Sequence, residues 1–128
     1  MLKIIRTILL LTATVFMIFA GVISATVAVP HLREDMVEIN VRPTLLRAVM
    51  LGLHFGTLAM FGFAGVTLIA AIRSALGKHT SRLMLAAIGL TYTTFGITAY
   101  ILSASHHALG YLLIGLLILG AALIPELE

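Results

Sequence analysis

The chain of 128 residues contains no cysteine and no tryptophan. Only 10% of it is charged, where soluble domains carry roughly a quarter charged residues. Without a thiol there is no disulfide, no thiolate nucleophile and no thiolate metal site. Acids are scarcer still. The five are Glu34, Asp35, Glu38, Glu126 and Glu128, and none lies inside an apolar run. This distribution leaves no buried acid for a Ser-His-Asp arrangement. Proton-coupled exchange needs a titrating group at membrane depth, and only His54 offers one. A glycine-rich phosphate loop is also missing. Eight Lys and Arg residues give a formal charge of +3, but they are spread along the chain beside the apolar runs. They form no basic patch in the sequence, which argues against a nucleic-acid partner.

What is present is hydrophobic residues, 61% of the chain, with a mean hydropathy of +1.17. The longest run lies between Arg47 and Arg73 and carries no formal charge, with His54 its one strongly polar residue. About 20 apolar residues suffice to span a bilayer as a helix. Four such runs predict helices over approximately 4–29, 44–72, 82–105 and 107–124. The last is at the lower limit for a span. The expected fold is therefore all-α: a single transmembrane domain over 1–128, an integral membrane four-helix up-down bundle with short connections. The basic start followed by an apolar run has the look of a signal peptide, and Thr26-Val27-Ala28 is a passable cleavage site. The run is longer than a usual signal core, however, so a retained first helix is expected.

The connections carry their own signals. Between Pro30 and Pro43, Leu32, Met36 and Ile39 recur at helical spacing with charges on the other faces, the pattern of a short amphipathic helix lying on the membrane surface. Pro43 suits the first turn of the second span. Gly77 is a helix stop, and Thr80 or Ser81 an N-cap for the third span. His106 and His107 mark the last turn, with Pro125 to Glu128 closing the chain in water. Lys3, Arg6, Arg73, Lys78 and Arg82 fall on one side of the membrane, against Arg33, Arg42 and Arg47 on the other. The positive-inside rule then places both termini in the cytoplasm, of a plasma or inner membrane. Tyr100 and Tyr111 flank the last turn as interfacial anchors would.

Residues three, four and seven apart share a helix face. In the second span, Arg47, His54 and Phe61, with Thr57, form a partly polar stripe. Gly52, Gly56, Ala59 and Phe63 form a small-residue stripe, with the small-xxx-small spacing that lets membrane helices approach closely. In the third span Thr91, Thr94 and Thr98 share one stripe. Gly89, Tyr92, Gly96, Ala99, Ser103 and His106 share another. The glycines of the last span, Gly110, Gly115 and Gly120, recur every five residues and scatter over several faces.

Four of the five histidines, His31, His54, His106 and His107, fall in the outer half of this topology, below Glu34, Asp35 and Glu38. These are ligand types for zinc, copper or iron, and a histidine pair on separate helices can clamp a haem. The simpler reading is a neutral His54 hydrogen-bonded to a neighbouring helix, with the turn histidines and the charged loop solvated. Arg47 snorkels to the interface in that reading.

In length and span number the chain is superficially similar to fluoride channels and small multidrug exporters, and Thr91-Tyr92-Thr93-Thr94-Phe95 resembles the threonine-phenylalanine run of the former. The glycine-rich, arginine-bearing first helix of the channels has no counterpart in Thr7 to Val29, nor has the exporters' first-helix glutamate. The chain is assigned to neither. No motif specifies a reaction. The leading expectation is a membrane module that works by helix packing in the lipid bilayer, as an accessory subunit of other membrane proteins or as a homo-oligomer. The first alternative is an outer-face histidine site for a metal or haem, serving redox or enzymatic work. A further alternative is a narrow channel or carrier for a small solute, lined by Arg47, Thr57, Thr91, Thr94 and Thr98 around His54.

Overall fold

The computed structural model describes residues 1–104 and 106–126. Ser105, the expected end of the third span, and Leu127 and Glu128 of the tail lie outside the described residues. Among the described residues all regular structure is helical: α1 (Leu2–Ile23), α2 (Val29–Glu38), α3 (Pro43–Ala75), α4 (Arg82–Ser103) and α5 (His107–Leu123), with a π-helical turn, Ser24–Ala28, joining α1 to α2. Three helices are long and apolar enough to cross a membrane: the continuous Leu2–Glu38, α3 and α4. The 17 residues of α5 are apolar and reach about 25 Å. The protein is a membrane-integrated helical bundle.

The helix boundaries follow from local chemistry. Pro43 opens α3 at the position where its missing N–H is not needed. Gly77 closes it with φ 71°, and the Lys78 N–H reaches back to the Arg73 carbonyl at 2.8 Å, a left-handed cap that glycine adopts without strain. Ser81 caps α4 by accepting from the Met84 N–H at 3.2 Å.

One expectation is corrected. No separate surface helix follows the first span, and the first span does not end at Val29. The chain instead runs as one helix of 37 residues, about 55 Å, through Pro30. Proline lacks the N–H that the carbonyl four residues back would accept, and its ring crowds that carbonyl. Widening the helix to a π turn over Ser24–Ala28 relieves the crowding, with the Val29 N–H bonding Ser24. The amphipathic residues Leu32, Met36 and Ile39 therefore extend α1 instead of lying across it.

The packing is an arc. α1 packs on α3, α5 packs on α1, and α4 packs on α5, while α3 and α4 form no comparable interface. Each pair is antiparallel, and buried residues recur at steps of seven. α3 buries Met50, Thr57, Ala64 and Ala71. α5 buries Ala108, Gly115 and Ala122, against Gly89 and Gly96 of α4. A repeat of seven keeps one stripe facing the partner helix along its whole length, as in left-handed membrane bundles.

The α4–α5 contact is the closest. A Cβ added at Gly96 would stand 2.5 Å from the Leu112 backbone nitrogen, and one at Gly115 would stand 2.5 Å from that of Thr93. Only glycine admits backbones this near. Since α3 is 33 residues and α4 is 22, the α1–α2/α3 hairpin overreaches the α4–α5 hairpin by about 15 Å at the end away from the termini.

Candidate functional site

Two places in this arc combine polar groups with space. The first is the gap between its two ends. Here the walls are α3, with Gly52, Gly56 and Met60, and α4, with Thr91, Tyr92 and Phe95. The π turn and Tyr111 of α5 form the floor. The cleft encloses about 490 Å³ and is almost wholly apolar. α3 and α4 meet beside it through the edge of Phe63 on Tyr92, ring centroids 6.1 Å apart. Tyr92 also stacks on Tyr111 at 6.5 Å, and Phe95 meets Tyr111 edge-on at 5.0 Å.

The polar content of the cleft is small and mostly satisfied. Ser24 of the π turn and Thr57 of α3 share a hydroxyl–hydroxyl hydrogen bond of 2.9 Å, and Thr57 also donates to the Leu53 carbonyl. Tyr92, 4% exposed, has a hydroxyl with no hydrogen-bond partner among the described residues. A Cβ at Gly52 or Gly56 would meet nothing within 4 Å. Ala59, on the same flank of α3, also lines the cleft and is half-buried. This small-residue stripe is therefore open, whereas Gly89 and Gly96 are consumed inside the bundle.

The second place is the end where both termini meet. Arg6 is 3% exposed and its guanidinium donates to Glu126 Oε1 at 2.6 Å and to the Thr80 hydroxyl. Thr80 in turn donates to the same carboxylate oxygen from its hydroxyl at 2.6 Å and its backbone N–H at 2.7 Å. His79 Nδ1 contacts the other oxygen. Burial alone would raise the Glu126 pKa. The bonds from the Thr80 side chain, Arg6, the Thr80 backbone and His79 outweigh it and hold the carboxyl at about 2. A buried guanidinium needs such a partner.

Around this clasp, Arg73 donates to the His79 carbonyl at 2.9 Å and Arg82 to the Ala122 carbonyl at 2.8 Å. Thr7 and Ser74 hydroxyls join α1 to α3 at 3.0 Å. Glu126, expected in water with the rest of the tail, is instead 23% exposed and at the centre of the network. Its neighbourhood was legible only in part: Arg6 stands one turn before Leu10 on the buried face of α1, so its phase marks an inward arginine.

No match to this chain is found among protein-family models, curated proteins or solved structures. The geometry alone supports a functional reading.

The histidines do not converge. His54 is exposed on α3, and its Nδ1 bonds the Met50 carbonyl of its own helix at 2.6 Å. His31 lies 3.8 Å from Asp35 one turn on, both of them exposed. His106 and His107 are exposed at the start of α5. Among the described residues, no three of His, Cys, Asp and Glu come together as metal ligands would. The suggested channel lining stays together only on α4, where Thr91, Thr94 and Thr98 line one open groove beside Phe95. Thr57 is buried against the π turn, away from that groove. Arg47 is exposed on the overreaching part of α3. Phe61, in the same stripe as His54, lays its ring against Gly21 of α1.

Proposed function

We propose that the chain is a small polytopic membrane protein that acts by helix packing, as an accessory subunit of a membrane complex or as a homo-oligomer. The cleft between α3 and α4 receives a transmembrane helix of that partner. One observation carries this reading: the four-helix arc is open on one side, and the open side presents Gly52, Gly56 and Ala59 with no neighbour over the two glycines. Small residues on a membrane helix permit close backbone approach, from which van der Waals packing gains. The other small stripe, Gly89 and Gly96, shows what such a surface does when a helix is present. The excess of lysine and arginine at the clasp end favours that end facing the cytoplasm of a plasma or inner membrane.

The absence of native cysteine gives a clean test. Met60→Cys, which lines the cleft beside Gly56, carries a photo-crosslinker in native membranes, with Ile97→Cys, at a similar depth on an exposed side of α4, as control. One defined adduct from Met60→Cys and none from the control is the expected result. Its mass and sequence separate a second copy from a different subunit. Equal labelling of lipid alone at both sites refutes the proposal.

A further inference from the structure

The eight basic residues look dispersed in the sequence, but folding gathers several of them around a cavity of about 250 Å³ at the clasp end, lined by Lys3, Arg6, Ser74, Lys78, His79 and Glu126. Its acid is already committed. Oε1 of Glu126 accepts from Arg6 and twice from Thr80, and Oε2 contacts His79. Lys3 and Lys78 make no ion pair with a carboxylate among the described residues. The left-handed turn at Gly77 brings the two lysines to one cavity: Lys3 Nζ lies 3.6 Å from the point where a Gly77 Cβ would stand, and Lys78, the next residue, also lines the cavity. Beneath them, Nε of the almost fully buried Arg6 has no hydrogen-bond partner among the described residues.

We infer that this cavity is a binding site for a phosphate group, held by Lys3 and Lys78 at the rim above Arg6. Two lysines lining one cavity without a carboxylate of their own favour an anion there, and charge-assisted bonds to phosphate oxygens are the strong kind. The position favours a lipid headgroup as the source. The cavity is at the basic end of the bundle, where helices meet water. Ile4 and Leu76, next to Lys3 and Gly77 in the chain, are exposed apolar surface along which an acyl chain can lie. Basic pockets between membrane helices bind anionic headgroups in this way. The site is independent of the cleft and of what occupies it.

The test uses the full-length protein in a mild detergent and reads the thermal unfolding midpoint against added phosphatidylglycerol, phosphatidylcholine and inorganic phosphate. A saturable rise with phosphatidylglycerol and none with phosphatidylcholine is expected. Lys3→Gln/Lys78→Gln should weaken the apparent affinity about 30-fold, about fivefold for each charge near the interface. Arg6 is left in place because the clasp depends on it. Arg33→Gln/Arg42→Gln removes the same charge from the opposite end and should behave as wild type. A rise with inorganic phosphate as well supports the site and assigns it to the free anion, while phosphatidylglycerol alone assigns it to the lipid. Equal responses to both lipids, no response to any probe, an undiminished response in the lysine variant, or an equal loss in the arginine control overturns the inference.

Discussion

Gly96→Ala and Gly56→Ala are the same chemical change on the two helices at the ends of the arc, and the packing sets them apart. At Gly96 the new methyl carbon would stand 2.5 Å from the Leu112 nitrogen and 2.8 Å from its Cα, where ordinary contact begins at 3.4 Å. Both atoms are backbone, so α5 has to retreat by about 1 Å, which loosens the other close contacts at Gly89 and Gly115. Forcing a methyl into a packed interface costs about 1–3 kcal/mol. Replacing glycine in a helix interior returns about 1 kcal/mol. The net expectation for Gly96→Ala is a loss of up to about 2 kcal/mol. At Gly56 nothing lies within 4 Å, so only the helix term acts. That variant should be neutral or up to about 1 kcal/mol more stable.

The assay is equilibrium unfolding of purified protein in mixed micelles with increasing sodium dodecyl sulfate, followed by helical circular dichroism. Equal effects of the two substitutions, or a stabilised Gly96→Ala, would refute the close-contact reasoning. In native membranes, adding Gly56→Ala to Met60→Cys should lower the yield of the partner adduct while leaving the isolated chain stable.

Three further outcomes are expected. Glu126→Gln leaves Arg6 buried without a counter-charge and should cost about 2 kcal/mol, less than a fully buried pair because Glu126 keeps some exposure. Because the folded carboxyl is held at about 2 against an ordinary 4.5, the clasp contributes fully above pH 4.5 and is lost as pH falls toward 2. A melting midpoint that is flat across that window in the wild type but not in Glu126→Gln would contradict this. Tyr92→Phe removes a buried hydroxyl without a partner among the described residues, so the melting midpoint should hold or rise, by up to about 1 kcal/mol in stability; a clear loss would reveal a bond the hydroxyl makes. His54→Ala removes a ring bonded only within its own turn. It should change stability by less than about 0.5 kcal/mol, checked in the same micelle assay.

Local chemistry made much of the fold legible. Pro43, Gly77 and Ser81 mark their boundaries because each acts through its own backbone, and Gly89 and Gly96 marked the face on which α4 packs. Pro30 misled for the same local reason: its lost hydrogen bond reads as a helix end, yet a π turn absorbs it and α1 continues into α2. The stripe through His54 and Arg47 was visible, but periodicity gives a face and not the helix it faces. Thr57 found Ser24, while His54 turned outward. The clasp was least legible. Arg6 and Glu126 are 120 residues apart, and each alone reads as an interfacial charge. Nor does the sequence carry the spatial order α3–α1–α5–α4, since no local signal says which hairpin face docks on the other.

That spatial order has a consequence for how the protein is made. The α1–α3 and α4–α5 pairs are each built from consecutive spans and can form as they enter the membrane, as early hairpins do. Their union relies on α1 meeting α5, the first span and the last, and on Arg6 meeting Glu126. Until translation reaches that glutamate, Arg6 waits at the membrane surface without its carboxylate. Closure of the clasp therefore waits until α5 and the residues just after it have been made. Truncation before Glu126 would release two inserted hairpins whose docking is unlocked, an assembly fault exposed to membrane quality control rather than a failure of insertion.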